Sequence, residues 1–231
     1  LRSNGGQVFT GGFALQSYEA TLFAKDNDAV WNTYVLGALS IALVVVIGVL
    51  VAYLSVRKRN AVNSALDTVT MFPFIIPGSV LGIAFLFAFN SPPILISGTM
   101  LIMIIAFSVR RMPYTVRSSA AALGQISPSI EEAAVSLGAS EMTTFARVTV
   151  PMMLPGVCAG AIMSWVTIIS ELSSSIILYT NANQTLTVSI YTEVIRGNYG
   201  NASAYATILT VTSIFSLLLF YKVTGRRDIS I

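Results

Sequence analysis

Residues 35–54 read VLGALSIALVVVIGVLVAYL, twenty positions without a charge. A helix rising about 1.5 Å per residue covers the roughly 30 Å hydrocarbon core of a bilayer in such a stretch. Trp31 and Tyr34 stand before it, where amphipathic rings favour the membrane interface, and Arg57, Lys58 and Arg59 close it. The whole chain follows suit: 55% of residues are hydrophobic and 10% charged, with a mean hydropathy of +0.77. Soluble domains carry about a quarter charged residues. The chain therefore reads as an all-α integral membrane protein.

Working outward, five spans are expected, at about 35–54, 69–89, 94–109, 152–179 and 204–221. The second holds Pro73, Pro77, Gly78 and Gly82, so its first half should be kinked or partly unwound and placed inside the bundle. The third follows the Pro92-Pro93 turn and ends at Arg110-Arg111. Ten of the thirteen basic residues fall on one side when five spans alternate; Arg2, Lys25 and Arg196 fall on the other. Because Lys and Arg stay cytoplasmic in short loops, residues 1–34 and 180–203 are expected outside, and 110–151 and the C-terminus inside. The chain opens at Leu1 without a signal sequence, so an earlier span is expected to be missing. The organisation is an extracytoplasmic segment, 1–34, and a transmembrane domain, 35–231, whose cytoplasmic segment covers about 112–151.

Absences exclude several functions. There is no histidine, which removes HExxH zinc sites and every Ser-His or Cys-His nucleophile. Cys158, the single cysteine, lies in an apolar helix and reads as a small buried hydrophobe. No phosphate-binding G-x-x-x-x-G-K-[ST] loop occurs, so ATP-driven work requires a partner. Asn183-Gln184-Thr185 and Asn201-Ala202-Ser203 match the glycosylation pattern by coincidence, and a membrane enzyme pairing Glu171 with Asp67 is disfavoured by their different depths. No catalytic residue and no metal ligand is assigned.

The cytoplasmic segment has its own helical logic. Ser127 can cap a helix with Pro128 at its first position, Glu131 and Glu132 suit the first turn, and Gly138 suits a left-handed close. Ile130, Ala133, Ala134 and Leu137 form a narrow apolar face. Ser140 can cap a second short helix, EMTTFARV, which Pro151 should break just before the fourth span. The residues alone leave two readings open, a connector resting on lipid and a docking element for a soluble partner.

The stretch EEAAVSLGASEMTTFARVTVP, 131–151, resembles the EAA motif of inner-membrane permeases in binding-protein-dependent ABC importers. The matching positions are Glu132, Ala133, Ala134, Gly138, Val148, Val150 and Pro151, with valines in the two aliphatic places where the family usually has Ile and Leu. Trp31-Asn32-Thr33, PFIIPGSVLGIAF and GNYGNASAYA are similar to the same family over nearly the whole chain. The resemblance implies a type I ABC importer permease fold and a coupling helix seated in a cleft of a cytoplasmic ATPase. Glu131, Glu132, Ala133, Ala134, Gly138, Ala139 and Ser140 are then the docking residues. It also implies as partners an ABC ATPase dimer that carries ATP and Mg, an extracytoplasmic substrate-binding protein, and a second permease half or a second copy. Lipid surrounds the chain, nucleic acid plays no part, no cofactor sits in the chain itself, and the location is the bacterial inner membrane.

The fourth span carries the clue to cargo. In SWVTIISELSSSIILYT, Ser164, Thr167, Glu171 and Ser174 are spaced to share one helical face. A carboxylate at membrane depth costs about 2.5 to 3.5 kcal/mol, so Glu171 should face a cavity, water or a partner. It lines the translocation path in one reading and ties two spans together in the other. SELSSS and LTVSIYTEVIRGNYG are most similar to iron(III) permeases, usually built as two fused homologous halves, of which this chain matches the second. Iron(III) is the expected cargo, with thiamine, a polyamine or a phosphonate as alternatives. A self-sufficient secondary transporter or channel is the rival class, with Glu171 as a proton or cation relay.

Overall fold

The computed structural model describes residues 15–22 and 28–224. Expectations for Arg2, Lys25, Arg226 and Arg227 lie outside the described residues. In chain order the elements are α1 (Gln16–Leu22), α2 (Ala29–Arg57), α3 (Ala61–Ile75), α4 (Gly78–Ala88), a small antiparallel hairpin of β1 (Asn90–Ser91) and β2 (Ile94–Leu95), α5 (Met100–Gly124), α6 (Pro128–Ser136), α7 (Glu141–Thr144), a π-helical turn (Phe145–Thr149), α8 (Val150–Ile169), α9 (Ser175–Leu178), a 3-10 turn (Asn181–Asn183), α10 (Leu186–Ile195) and α11 (Tyr199–Thr224).

Helices α2, α5 and α8 form the centre. Leu36, Ile102, Met103, Phe107, Ile168 and Leu178 fill its outer half, and Val49, Ala52, Leu123, Ile126, Met153 and Val157 its inner half. In lipid, helices associate through close packing and interhelical hydrogen bonds, and both devices occur. Gly156 and Gly160 face α5 so closely that an added Cβ would lie 2.9 Å from the Ser118 carbonyl oxygen or 2.7 Å from Thr115 Cα. The Ser118 hydroxyl donates to the Gly156 carbonyl at 2.6 Å, and the Ser108 hydroxyl to the Ser40 carbonyl at 3.2 Å. At the outer end, Asn32 Nδ2 donates to the carbonyls of Ala182 and Gln184, and the Thr33 hydroxyl accepts from the Leu186 amide at 2.8 Å. The Asn32-Thr33 pair thus anchors the loop before α10. Asn183 is buried, as a structural asparagine would be.

Among the described residues three helices are long and apolar enough to cross a membrane, Ala29–Arg57, Glu141–Ile169 and Tyr199–Lys222, and the bent α3–α4 pair makes a fourth if it is counted as one span. Several expected boundaries need correction. The second span, expected at 69–89 with a kink, is two helices meeting at 112°. Ile76 precedes Pro77 and takes an extended conformation (φ −73°, ψ 129°), because proline's ring disfavours a helical neighbour before it. The third, expected at 94–109, is displaced: Ile94-Leu95 belong to the hairpin, and α5 runs from Met100 to Gly124. Arg110 and Arg111 therefore lie in mid-helix, not at its cytoplasmic end. Burial at Ala106, Phe107, Met112, Val116, Ser119 and Leu123 shows the same inward stripe continuing past them.

The fourth span also departs from expectation. Pro151 does not interrupt the chain, since α7, the π-helical turn and α8 make one helix from Glu141 to Ile169. Proline lacks an amide hydrogen and crowds the preceding turn, and the wider π turn just ahead of it absorbs both. At the other end the helix stops at Ile169, well short of 179.

Candidate functional site

Two charged regions stand out, one at the end of the bundle that carries α6 and α7 and one at the break between α8 and α9. At the first of these, Ser127 is extended and Pro128 opens α6, but the Ser127 hydroxyl bonds the Ser129 hydroxyl at 2.8 Å and caps no amide. Gly138 has φ +95°, a conformation that costs a residue with a Cβ, and it turns the chain toward α7. The Ser140 hydroxyl accepts from the Thr143 amide at 3.2 Å and caps α7. Helix α6 has no buried residue, and Leu137 is 90% exposed.

The two neighbouring glutamates of α6 differ in use. Glu131 accepts from Arg57 Nε at 3.0 Å, while Arg57 Nη2 donates to the Ile126 carbonyl at 2.7 Å. Glu132 is exposed and has no ion pair among the described residues. A second bridge joins Lys58 Nζ to Glu141 at 3.0 Å, and that carboxylate raises the lysine's pKa above its usual value. A groove of about 470 Å³ lined by Tyr53, Arg57, Glu131, Glu132 and Glu141 runs between α2 and the short helices. Ala133 and Ser140 are exposed, and Ala134 and Ala139 are half-buried.

The four residues expected on one helical face are split by the end of α8. Ser164 is fully buried and donates to the Arg111 carbonyl at 3.1 Å, sharing a further bond with Thr115. The Thr167 hydroxyl turns back to the Met163 carbonyl at 2.8 Å. Glu171 and Ser174 lie beyond the helix, in a run where hydroxyls replace backbone bonds. The Glu171 carbonyl accepts from the Ser175 hydroxyl at 2.6 Å and from the Thr187 hydroxyl at 2.9 Å. Such substitution is what allows irregular backbone within a membrane.

The Glu171 side chain, 3% exposed, is held from both sides. Arg110 Nη1 donates to Oε1 at 2.8 Å, Arg111 Nη2 donates to Oε2, and the Ser174 amide adds a contact to Oε1 at 3.3 Å. A side chain at Gly78, the first residue of α4, would overlap both the Arg110 guanidinium and Ser173 Cβ. The bend between α3 and α4, the middle of α5 and the broken end of α8 therefore meet at one charge cluster. Asp67 is engaged elsewhere, with Arg117 at 3.2 Å. Among the described residues no group of three or more acidic or sulfur side chains could hold a metal ion.

Residues 21–227 match the family model of the binding-protein-dependent transport system inner membrane component. The chain belongs to this family. Among its relatives, a ferric transport system permease of Actinobacillus pleuropneumoniae is 32% identical over 235 residues, covering 95% of this chain and 34% of the relative. A putative 2-aminoethylphosphonate transport system permease of Salmonella paratyphi A is 26% identical, covering 95% of this chain and 83% of that protein. The chain thus spans about a third of the length of the ferric relative. Among solved structures, a bacterial ABC transporter that imports the acidic polysaccharide alginate superposes with a TM-score of 0.77 at 16% identity, covering 96% of this chain and 86% of that one. The MetNI methionine ABC transporter superposes with a TM-score of 0.68 at 18% identity, covering 95% of this chain and 100% of that one. The fold is that of type I ABC importer permeases, and the chain is a multi-pass membrane protein.

Within this fold, the charged partners missed from sequence are Arg57, Arg110 and Arg111. All three read there as cytoplasmic flank charges. A signal for the last two was present: a lone carboxylate in one apolar segment and an arginine pair at the edge of another invite pairing.

Proposed function

We propose that this chain is the permease subunit of an ATP-driven importer of the bacterial inner membrane, forming the translocation path by alternating access. Glu131, Glu132, Ala133, Ala134, Gly138, Ala139 and Ser140 make its joint with a separate ATPase, which carries ATP and Mg. An extracytoplasmic binding protein delivers cargo, and a second permease half or a second copy completes the path.

The observation that carries this reading is α6, a helix without one buried side chain that is still fixed to the frame through Arg57 and Glu131. Exposed apolar surface on a rigid mount suits a soluble partner, and a rigid joint converts movement of that partner into rocking of the bundle. Iron(III) is the cargo best supported, by the ferric permease relative. A phosphonate is the second reading, supported by the nearly full-length match to the 2-aminoethylphosphonate permease.

Leu137→Asp tests the joint, because the side chain is 90% exposed and its replacement disturbs no core. ATPase co-purification and ATP-driven uptake should fall at least about tenfold, since a carboxylate would be desolvated in an apolar seat. Undiminished association and uptake would sink the assignment of α6. Uptake by the permease alone, without ATP or partners, would favour the secondary transporter. Mass spectrometry of the binding protein's cargo separates iron from phosphonate.

A further inference from the structure

The cluster at membrane depth holds more positive charge than it neutralises. Two guanidiniums share the single carboxylate of Glu171, and both of its oxygens are engaged. The other described carboxylates lie elsewhere: Asp67, Glu131, Glu141 and Glu193 have their own basic partners, and Glu19, Asp28 and Glu132 sit on α1, before α2 and on α6. One positive charge is left over where an uncompensated ion is costly.

Three further observations point the same way. Arg111 Nε and the hydroxyl of the fully buried Ser174 have no hydrogen-bond partner. Arg110 commits only Nη1, and its side chain is 16% exposed, so its other donors remain reachable. The surface beside it is polar, with Ser79, Ser170 and Ser173 exposed, whereas Phe74, Ile75, Val80 and Met163 give nearby surface an apolar character. A polar strip at this depth suits a wet passage rather than lipid.

We propose that Arg110, with Arg111 and Ser174 behind it, is an oxyanion station on the translocation path. The inference rests on the importer reading and specifies its cargo class. What passes is an oxyanion, either a phosphonate or an iron(III) ion enclosed by phosphate or carboxylate ligands. The planar fork of arginine matches such groups in bidentate fashion. A bare trivalent cation would meet net positive charge and no uncommitted carboxylate, so the same cluster rejects it.

Ser173 lies on the rim next to Arg110, which permits a test that leaves the arginines in place. Ser173→Asp supplies a tethered carboxylate that competes for Arg110, and Ser173→Asn supplies nearly the same bulk without charge. The assembled importer, with its ATPase and binding protein, is placed in ATP-loaded proteoliposomes. It is offered radioiron with labelled citrate or labelled phosphate, and separately labelled 2-aminoethylphosphonate. Ser173→Asp should lower ATP-driven uptake at least about tenfold, while Ser173→Asn stays within about threefold of the unaltered complex. Citrate or phosphate label entering in proportion to iron supports the iron form of the station, and entry of the phosphonate supports the other. Iron entering without either label overturns the proposal while leaving the importer intact, as does unchanged uptake in Ser173→Asp. Equal loss in both variants overturns it too, because the effect then follows size instead of charge. ATP-driven uptake of neither cargo by the unaltered complex overturns the cargo reading and the inference with it.

Discussion

Beside α6 and α7, Arg57 meets Glu131 with side chains 11% and 15% exposed, and Lys58 meets Glu141 with side chains 50% and 76% exposed. At membrane depth, Arg110 and Arg111 close on a carboxylate that is 3% exposed. The bonds are similar in kind, but their surroundings give them different work. A solvated pair gains little because water competes for both ends, whereas a desolvated pair becomes indispensable once formed, since neither member tolerates losing the other. The chain therefore has its strongest charge dependence where its backbone is broken, and its weakest on the outer side of the cytoplasmic joint.

Three single substitutions and one exchange can break or sharpen that contrast. Glu171→Ala should have the largest effect, about 3 to 5 kcal/mol, because it leaves two mostly buried guanidiniums facing each other without the carboxylate between them. Yield and thermal melting of the purified permease in detergent would measure it, and near-normal melting would mean that water reaches the cluster freely. Arg57→Ala should cost less, about 1 to 2 kcal/mol, through loss of the Glu131 bridge and the bond to the Ile126 carbonyl. Exchanging the pair, Arg57→Glu with Glu131→Arg, should recover some of the loss; no recovery would assign the cost to packing and the backbone bond. Lys58→Ala should leave the melting temperature unchanged, and a clear drop would show the outer bridge to be more than a surface contact.

The sequence is most legible where its signals are local. Pro128 at the start of α6, Gly138 in its left-handed turn and Ser140 as a cap each act within a few residues, so their positions predict the short cytoplasmic helices. The first span is legible for a similar reason, its polar frame lying at both ends of one run. The charge cluster is less legible because its members come from distant regions of the chain, with Arg110 and Glu171 separated by 61 positions. Reading Arg110 and Arg111 as flanks also shortened the third span, since the rule that places basic residues at membrane edges cannot register a buried partner. The end of α8 is hidden in the sequence because SELSSS retains a helical spacing, while its own hydroxyls and that of Thr187 satisfy the backbone in another way.

The helix from Glu141 to Ile169 has 29 residues and a π turn that carries it past Pro151. It is a lever arm roughly 43 Å long, and a tilt of about 5° at its cytoplasmic foot swings its outer tip by roughly 4 Å. Glu171 lies two residues beyond that tip. A modest displacement beside α6 would thus arrive at the ion cluster as a shift larger than the length of its salt bridges, enough to pull a guanidinium away from the carboxylate. Mechanical gearing of this sort requires only that the shaft remain unbroken through the proline, which the π turn makes possible.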